Sequence, residues 1–128
     1  MSSPPSFEGR RIVICDYNAL LLSVTGLLRM SGFCVFQAHD GQAALELCRE
    51  LPDIELLVLN TTGTGTDTPS LIRAVRVNHP GLAVLHIGAS APQDLPDDVP
   101  SLTETLTPDE LLSAVGALLS AELTPSRN

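Results

Sequence analysis

Tryptophan is absent, there is one tyrosine and there are three phenylalanines, so aromatics make up 3% of the 128 residues. Platforms on which a base or a flavin ring could stack are scarce, and any core must be built from Leu, Val, Ile and Ala. Basic residues are also few: 7 Lys+Arg stand against 15 Asp+Glu, a formal charge of -8. That balance repels phosphate backbones and anionic lipid alike, which argues against a nucleic-acid or membrane partner. No long apolar run is present, since the longest near the N-terminus, Ala19 to Leu22, is far too short to span a bilayer, and MSSPPSFEGR has no apolar signal core. The expectation is a soluble, cytoplasmic protein.

The cysteines, Cys15, Cys34 and Cys48, are odd in number and lack a CxxC spacing. They predict small buried hydrophobes rather than a disulfide framework or a zinc site. His39, His79 and His86 likewise show no paired metal-ligand spacing and read as ordinary residues.

What is present is hydrophobic patterning: 44% of the chain is hydrophobic, and 128 residues suit one domain that buries roughly two thirds of the surface of its unfolded form. Residues 1–9, rich in Ser and Pro, read as a disordered lead, residues 10–121 as the domain, and residues 122–128 as a tail or the start of a linker. Arg11 to Cys15 is a short apolar run suited to a strand buried on both faces. Asn18 could cap a helix that ends near Ser31, with Gly32 as its stop. Phe33 to Ala38 gives a second strand, and Asp40-Gly41 opens a helix that Pro52 terminates. Ile54 to Leu59 is the third strand. Thr68-Pro69 reads as a cap and first turn of a helix broken at His79-Pro80-Gly81, and Leu82 to Ile87 is the fourth strand. Gly88 to Pro100, with three prolines, is the least regular stretch. Leu102 lies in a short fifth strand, and Thr107 with Glu110 forms a capping box for a last helix. Ala121 onward reads as a frayed end.

Strand and helix alternate almost throughout, which specifies a parallel α/β sheet covered on both faces. Sites in such sheets lie beyond the carboxyl ends of the strands. Those ends are Asp16-Tyr17-Asn18, Asn60 with its Thr/Gly loop, Gly88-Ala89-Ser90 and Thr103-Glu104-Thr105.

The segments RIVICDYN, AHDGQAALELCRELPDIELLVLN, TGTDTPSLIRAVRVNHPGLAVLHIG and TPDELLSAV resemble, in order and spacing, the receiver domain of bacterial two-component response regulators. The resemblance covers about residues 10 to 120. It implies a flavodoxin-like, doubly wound (βα)5 fold whose five-stranded parallel sheet runs in the order 2-1-3-4-5. The helix between the fourth and fifth strands is expected to be shortened or irregular.

The family's chemistry implies a phosphoacceptor aspartate at the end of the third strand, an acid pair after the first that helps hold Mg²⁺, a hydroxyl ending the fourth, and an aromatic switch and a lysine on the fifth. By position these roles fall on Asn60, on Asp16 and Tyr17, on Gly88, and on Ser101 and Glu104. Asp16 alone matches. A carboxamide is a very poor nucleophile, Asp16 alone is a weak metal site, Glu104 repels a phosphoryl group where a lysine would neutralise it, and Gly88 has no hydroxyl.

The expectation is a degenerate, phosphorylation-independent pseudo-receiver. It has no catalytic residue, no cofactor and no metal, and it acts by docking to a protein partner, such as a signalling protein or histidine kinase, or to a second copy. Two other readings stay open. The loop Thr61-Thr62-Gly63-Thr64-Gly65 could cradle the anion of a phosphate-bearing small molecule, or the domain could be a conventional phosphorelay regulator. Tyr17 could plug the vacated pocket or simply sit at a strand end. The acidic run Gln93 to Asp98 reads as a solvated face or as part of a docking surface.

Overall fold

The computed structural model describes residues 9–17, 21–61 and 66–123. Asn18, read as a helix cap, and Thr62, Gly63, Thr64 and Gly65 of the candidate anion loop lie outside the described residues, as do residues 1–8 and 124–128. The elements alternate: β1 (Arg11–Asp16), α1 (Leu22–Met30), β2 (Cys34–Ala38), α2 (Gly41–Glu50), β3 (Ile54–Asn60), α3 (Thr68–Asn78), β4 (Ala83–Ile87), β5 (Ser101–Leu102) and α4 (Pro108–Leu123). The strands form one parallel sheet in the order β2-β1-β3-β4-β5, as the sequence predicts.

The central strands are apolar on both faces because both faces are covered. One layer joins Ile12, Ile14, Leu56, Val58, Leu85 and Ile87 to α1 and to Leu111, Val115 and Leu119 of α4. The other joins Val13, Cys15, Leu57, Leu59 and Val84 to α2 and to Ile72 and Val75 of α3. Alternate side chains of each strand thus feed opposite layers, at roughly 25 cal/mol for each Å² of apolar surface buried.

The helix ends follow local chemistry. Asp40 caps α2 by accepting from the Ala43 N–H at 2.8 Å. Thr107 and Glu110 form the reciprocal box at α4: the Thr107 N–H donates to Glu110 Oε1 at 2.7 Å and the Glu110 N–H to Thr107 Oγ1 at 3.1 Å. Gly32, at φ 103°, lets the chain leave α1.

Three expectations need correction. The cap of α3 is Asp67, not Thr68: its carboxylate accepts from the Ser70 hydroxyl at 2.8 Å and the Ser70 N–H at 3.2 Å. These bonds hold the Asp67 carboxyl below its ordinary range. Thr68 is unavailable because its hydroxyl is paired with that of Thr61 at 2.7 Å. The last helix runs to Leu123 rather than fraying at Ala121, the next breaker in the sequence being Pro125. Cys34 is exposed, since it opens the edge strand β2.

No helix connects β4 to β5 among the described residues. Pro92, Pro96 and Pro100 cannot sustain one, and Asp94 at φ 64° adopts the left-handed region. The loop covers the sheet instead, with Val99 buried and Leu95 half-buried against the α2/α3 layer. Arg76 of α3 pins it, donating to the Leu82 carbonyl through Nη2 at 2.7 Å and Nε at 3.1 Å, and pairing with Asp98 at 2.7 Å.

Burial pushes the Cys15 thiol up to about 12, with help from the nearby Asp40 and Asp16 charges, and the Cys48 thiol up to about 11. Alkylation of the native protein near neutral pH therefore labels Cys34 and leaves Cys15 and Cys48 unmodified until denaturant is added. Peptide mapping by mass spectrometry checks this, and equal labelling of the three would contradict the described burial.

Candidate functional site

The sheet's carboxyl rim gathers Asp16, Tyr17, Asn60 and Gly88. In the β1–β3 register Asp16 lies directly opposite Asn60, so two of the strand ends assigned to the rim from the sequence meet. Both are buried, Asn60 at 1% and Asp16 at 4% exposure. Thr61 and Thr68 are buried beside them through their shared hydroxyl contact. Gly88, at the end of β4, is also buried, and its N–H donates to the Leu102 carbonyl at 2.9 Å.

The charge at this rim is satisfied from within the chain. Asp16 Oδ2 accepts from the Leu21 N–H at 2.8 Å, the amide just before α1. A carboxylate at a helix N-terminus gains from the unpaired N–H groups and the axial dipole there. Its role is to hold the start of α1 against β1, which a short carboxylate at the strand end does without a metal.

Tyr17 turns the other way. It is half-buried, packs against the α2/α3 layer, and its hydroxyl accepts from the Gly41 N–H at 2.7 Å, at the first residue of α2. This contact explains Gly41, because a Cβ there would lie 2.8 Å from the Tyr17 hydroxyl and 3.4 Å from Leu71 Cδ2. The phenol thus ties the β1 loop to the α2 terminus.

Glu104 is exposed and stands apart from this chemistry. It lines a groove of about 180 Å³ with Leu21, Val24 and Leu27 of the α1 region and Leu106 and Leu111 of the α4 region. Ser101 does not form an aromatic switch; its hydroxyl pairs with His86 Nδ1 at 2.8 Å. Gln93, Asp94, Asp97 and Asp98 are exposed, and Asp98 is held by Arg76.

The Mg²⁺ implied by the family does not fit these residues. Such an ion takes hard oxygens with one or two carboxylates, whereas Asp16 has Oδ2 committed to a backbone amide, Tyr17 has its phenol committed to Gly41, and position 60 is a neutral carboxamide. Among the described residues no group of three or more His, Cys, Asp or Glu side chains is arranged to hold a metal.

His86, read from the sequence as ordinary, is fully buried. The signal was its position as the one polar side chain in the run Leu82 to Ile87. The Tyr17–Gly41 contact carries no such signal, because 24 residues separate the partners.

No protein-family model matches the chain, and no curated protein matches it. Solved structures do. The receiver domain of the hybrid histidine kinase CckA is 27% identical, with a TM-score of 0.72 over 87% of this chain and 99% of that one. A response regulator receiver protein from Sinorhizobium medicae is 27% identical, with a TM-score of 0.76 over 91% and 98%. A CheY-like receiver domain from Methanospirillum hungatei reaches a TM-score of 0.78 at 17% identity, over 90% and 97%.

The Tyr17–Gly41 contact makes a quantitative prediction. Tyr17→Phe should cost about 0.5–1.5 kcal/mol through the lost bond, and Gly41→Ala about 1–3 kcal/mol through crowding. The double variant should lose less than the sum, since removing the hydroxyl removes the clash. Urea unfolding of the four proteins measures the coupling, and strict additivity would contradict it.

The resemblance read in the sequence thus holds in three dimensions: over most of its length the chain has the fold of response-regulator receiver domains.

Proposed function

We propose that this domain is a phosphorylation-independent pseudo-receiver, a non-enzymatic module of two-component-type signalling that works by docking to a protein partner. The observation that carries the reading is the buried pairing of Asp16 with Asn60, in which position 60 offers a carboxamide and Asp16 is engaged by the Leu21 amide. A carboxamide oxygen carries no full charge, and attack on phosphorus through it would create a cationic intermediate in a buried setting. Gly88 supplies no hydroxyl and Glu104 no cation to follow or neutralise a phosphoryl group. The loss of all these groups together, with the fold kept, supports signalling through surface shape. The acidic surface and the exposed Asp94, Asp97 and Glu104 favour a partner with a basic face.

The test is incubation with acetyl phosphate and Mg²⁺ followed by intact-protein mass spectrometry. The expected result is unmodified protein under conditions that phosphorylate a conventional receiver in parallel. A stable phosphoprotein, its phosphoryl group mapped to the rim, would overturn the reading.

A further inference from the structure

The sheet carries a buried titratable group that the rim does not use. His86 is fully buried in β4, with Leu59 beside it on β3 and Ser101 beside it on β5. Its Nδ1 meets the Ser101 hydroxyl at 2.8 Å. Its Nε2 is buried and has no hydrogen-bond partner among the described residues.

Either neutral tautomer satisfies Ser101: Nδ1 accepts from the hydroxyl, or Nδ1–H donates to it. The imidazolium fares worse, because both ring nitrogens then donate and a full charge lies in the apolar layer with an unmet N–H.

We propose that His86 and Ser101 form an acid-released latch, which seats edge strand β5 and the 88–100 loop on the sheet at neutral pH and frees them when the imidazole takes up a proton. The segment it holds is weakly held otherwise. β5 has two residues and its bonds to β4 include His86 N–H to the Pro100 carbonyl and Gly88 N–H to the Leu102 carbonyl, each 2.9 Å. The loop's other anchors are buried Val99 and the Arg76–Asp98 pair.

Among the described residues the surroundings offer the imidazolium no counter-charge. On α3, Arg73 donates to Ser70 and Arg76 is bound to Leu82 and Asp98. In the loop, Asp94, Asp97 and Asp98 are exposed, as is Glu104 beyond β5. At the start of α3, Asp67 is engaged with Ser70. β3 brings Leu57 and Leu59 to this layer, and Asn60 at its end is neutral. The thiols of the layer, Cys15 and Cys48, stay protonated through this range, and His79 binds the Cys48 carbonyl at the far end of α3.

The sign follows from burial, which pushes the His86 imidazole below its ordinary 6.5. The open form takes up the proton more readily, so the latch is fully effective above 6.5 and is lost as pH falls through the lower value of the closed form. This device is independent of whether the rim accepts a phosphoryl group.

The test is amide hydrogen exchange by NMR from about pH 7.5 down to about pH 5, with rates corrected for the intrinsic pH dependence. The amides of His86 and Gly88, which bridge β4 to β5, should lose protection by up to about tenfold per pH unit below 6.5, the limit for one linked proton, while the amides of β1 and β3 keep theirs. In His86→Gln, which retains a partner for Ser101 but cannot titrate in this range, the loss should vanish. The same loss in His86→Gln, or none in the wild type, would overturn the proposal. Should His86→Gln not fold, the wild-type ring titration decides: a His86 midpoint below 6.5 shared by the Ser101 and Leu102 amides supports the latch, and a ring that titrates without moving them refutes it.

Discussion

The structure turns on the hydrogen bond from the Leu21 amide to the Asp16 carboxylate, the one buried acidic side chain among the described residues. Clustered carboxylates in such a rim repel one another and require a cation to be tolerated. Here the residue opposite Asp16 is Asn60, and the next residue along, Tyr17, carries a phenol tied to the start of α2. With one charge left and a helix terminus to receive it, the rim is electrostatically complete from the chain's own groups. Where the resemblance implies a lysine and a hydroxyl, the exposed Glu104 and the side-chain-free Gly88 leave no buried charge unpaired.

The same economy shows on the other side of β4. Where three prolines exclude a helix, a loop covers the α2/α3 layer and is held by a few contacts of different kinds: an apolar side chain, an ion pair with a carbonyl beneath it, and a hydrogen bond between a buried ring and a hydroxyl. A helix would have met its backbone bonds internally, whereas a loop depends on what it touches. That makes the β4–β5 edge the part of the fold most sensitive to conditions.

Much of the architecture was legible because it is encoded locally. Alternation of apolar runs with capped helical segments reveals a parallel sheet, and the Asp40 and Thr107/Glu110 caps are bonds between residues three apart. The irregularity of the stretch between β4 and β5 was readable from its prolines. Contacts between distant residues were not readable. Thr68 looks like a cap until Thr61 claims its hydroxyl, and Cys34 looks like core until its strand is found at the sheet's edge. Of the rim, the sequence brought out Asp16 and Asn60 as strand-end residues, but not that Asp16 would close onto Leu21 or that Tyr17 would reach Gly41. His86 shows the limit most plainly, since a histidine in a strand is ordinary until its second nitrogen is found buried without a partner among the described residues.

A rim completed by the Leu21–Asp16 and Gly41–Tyr17 bonds should take up no Mg²⁺. The most direct measurement is a Mg²⁺ titration into the millimolar range, followed through the backbone amide resonances of Asp16, Leu21, Asn60 and Gly88. These signals should stay in place, and the Leu21 amide should keep its protection from exchange. A saturable displacement centred on Asp16 and Asn60, with Leu21 released, would show the carboxylate exchanging its amide for a cation and would contradict the account.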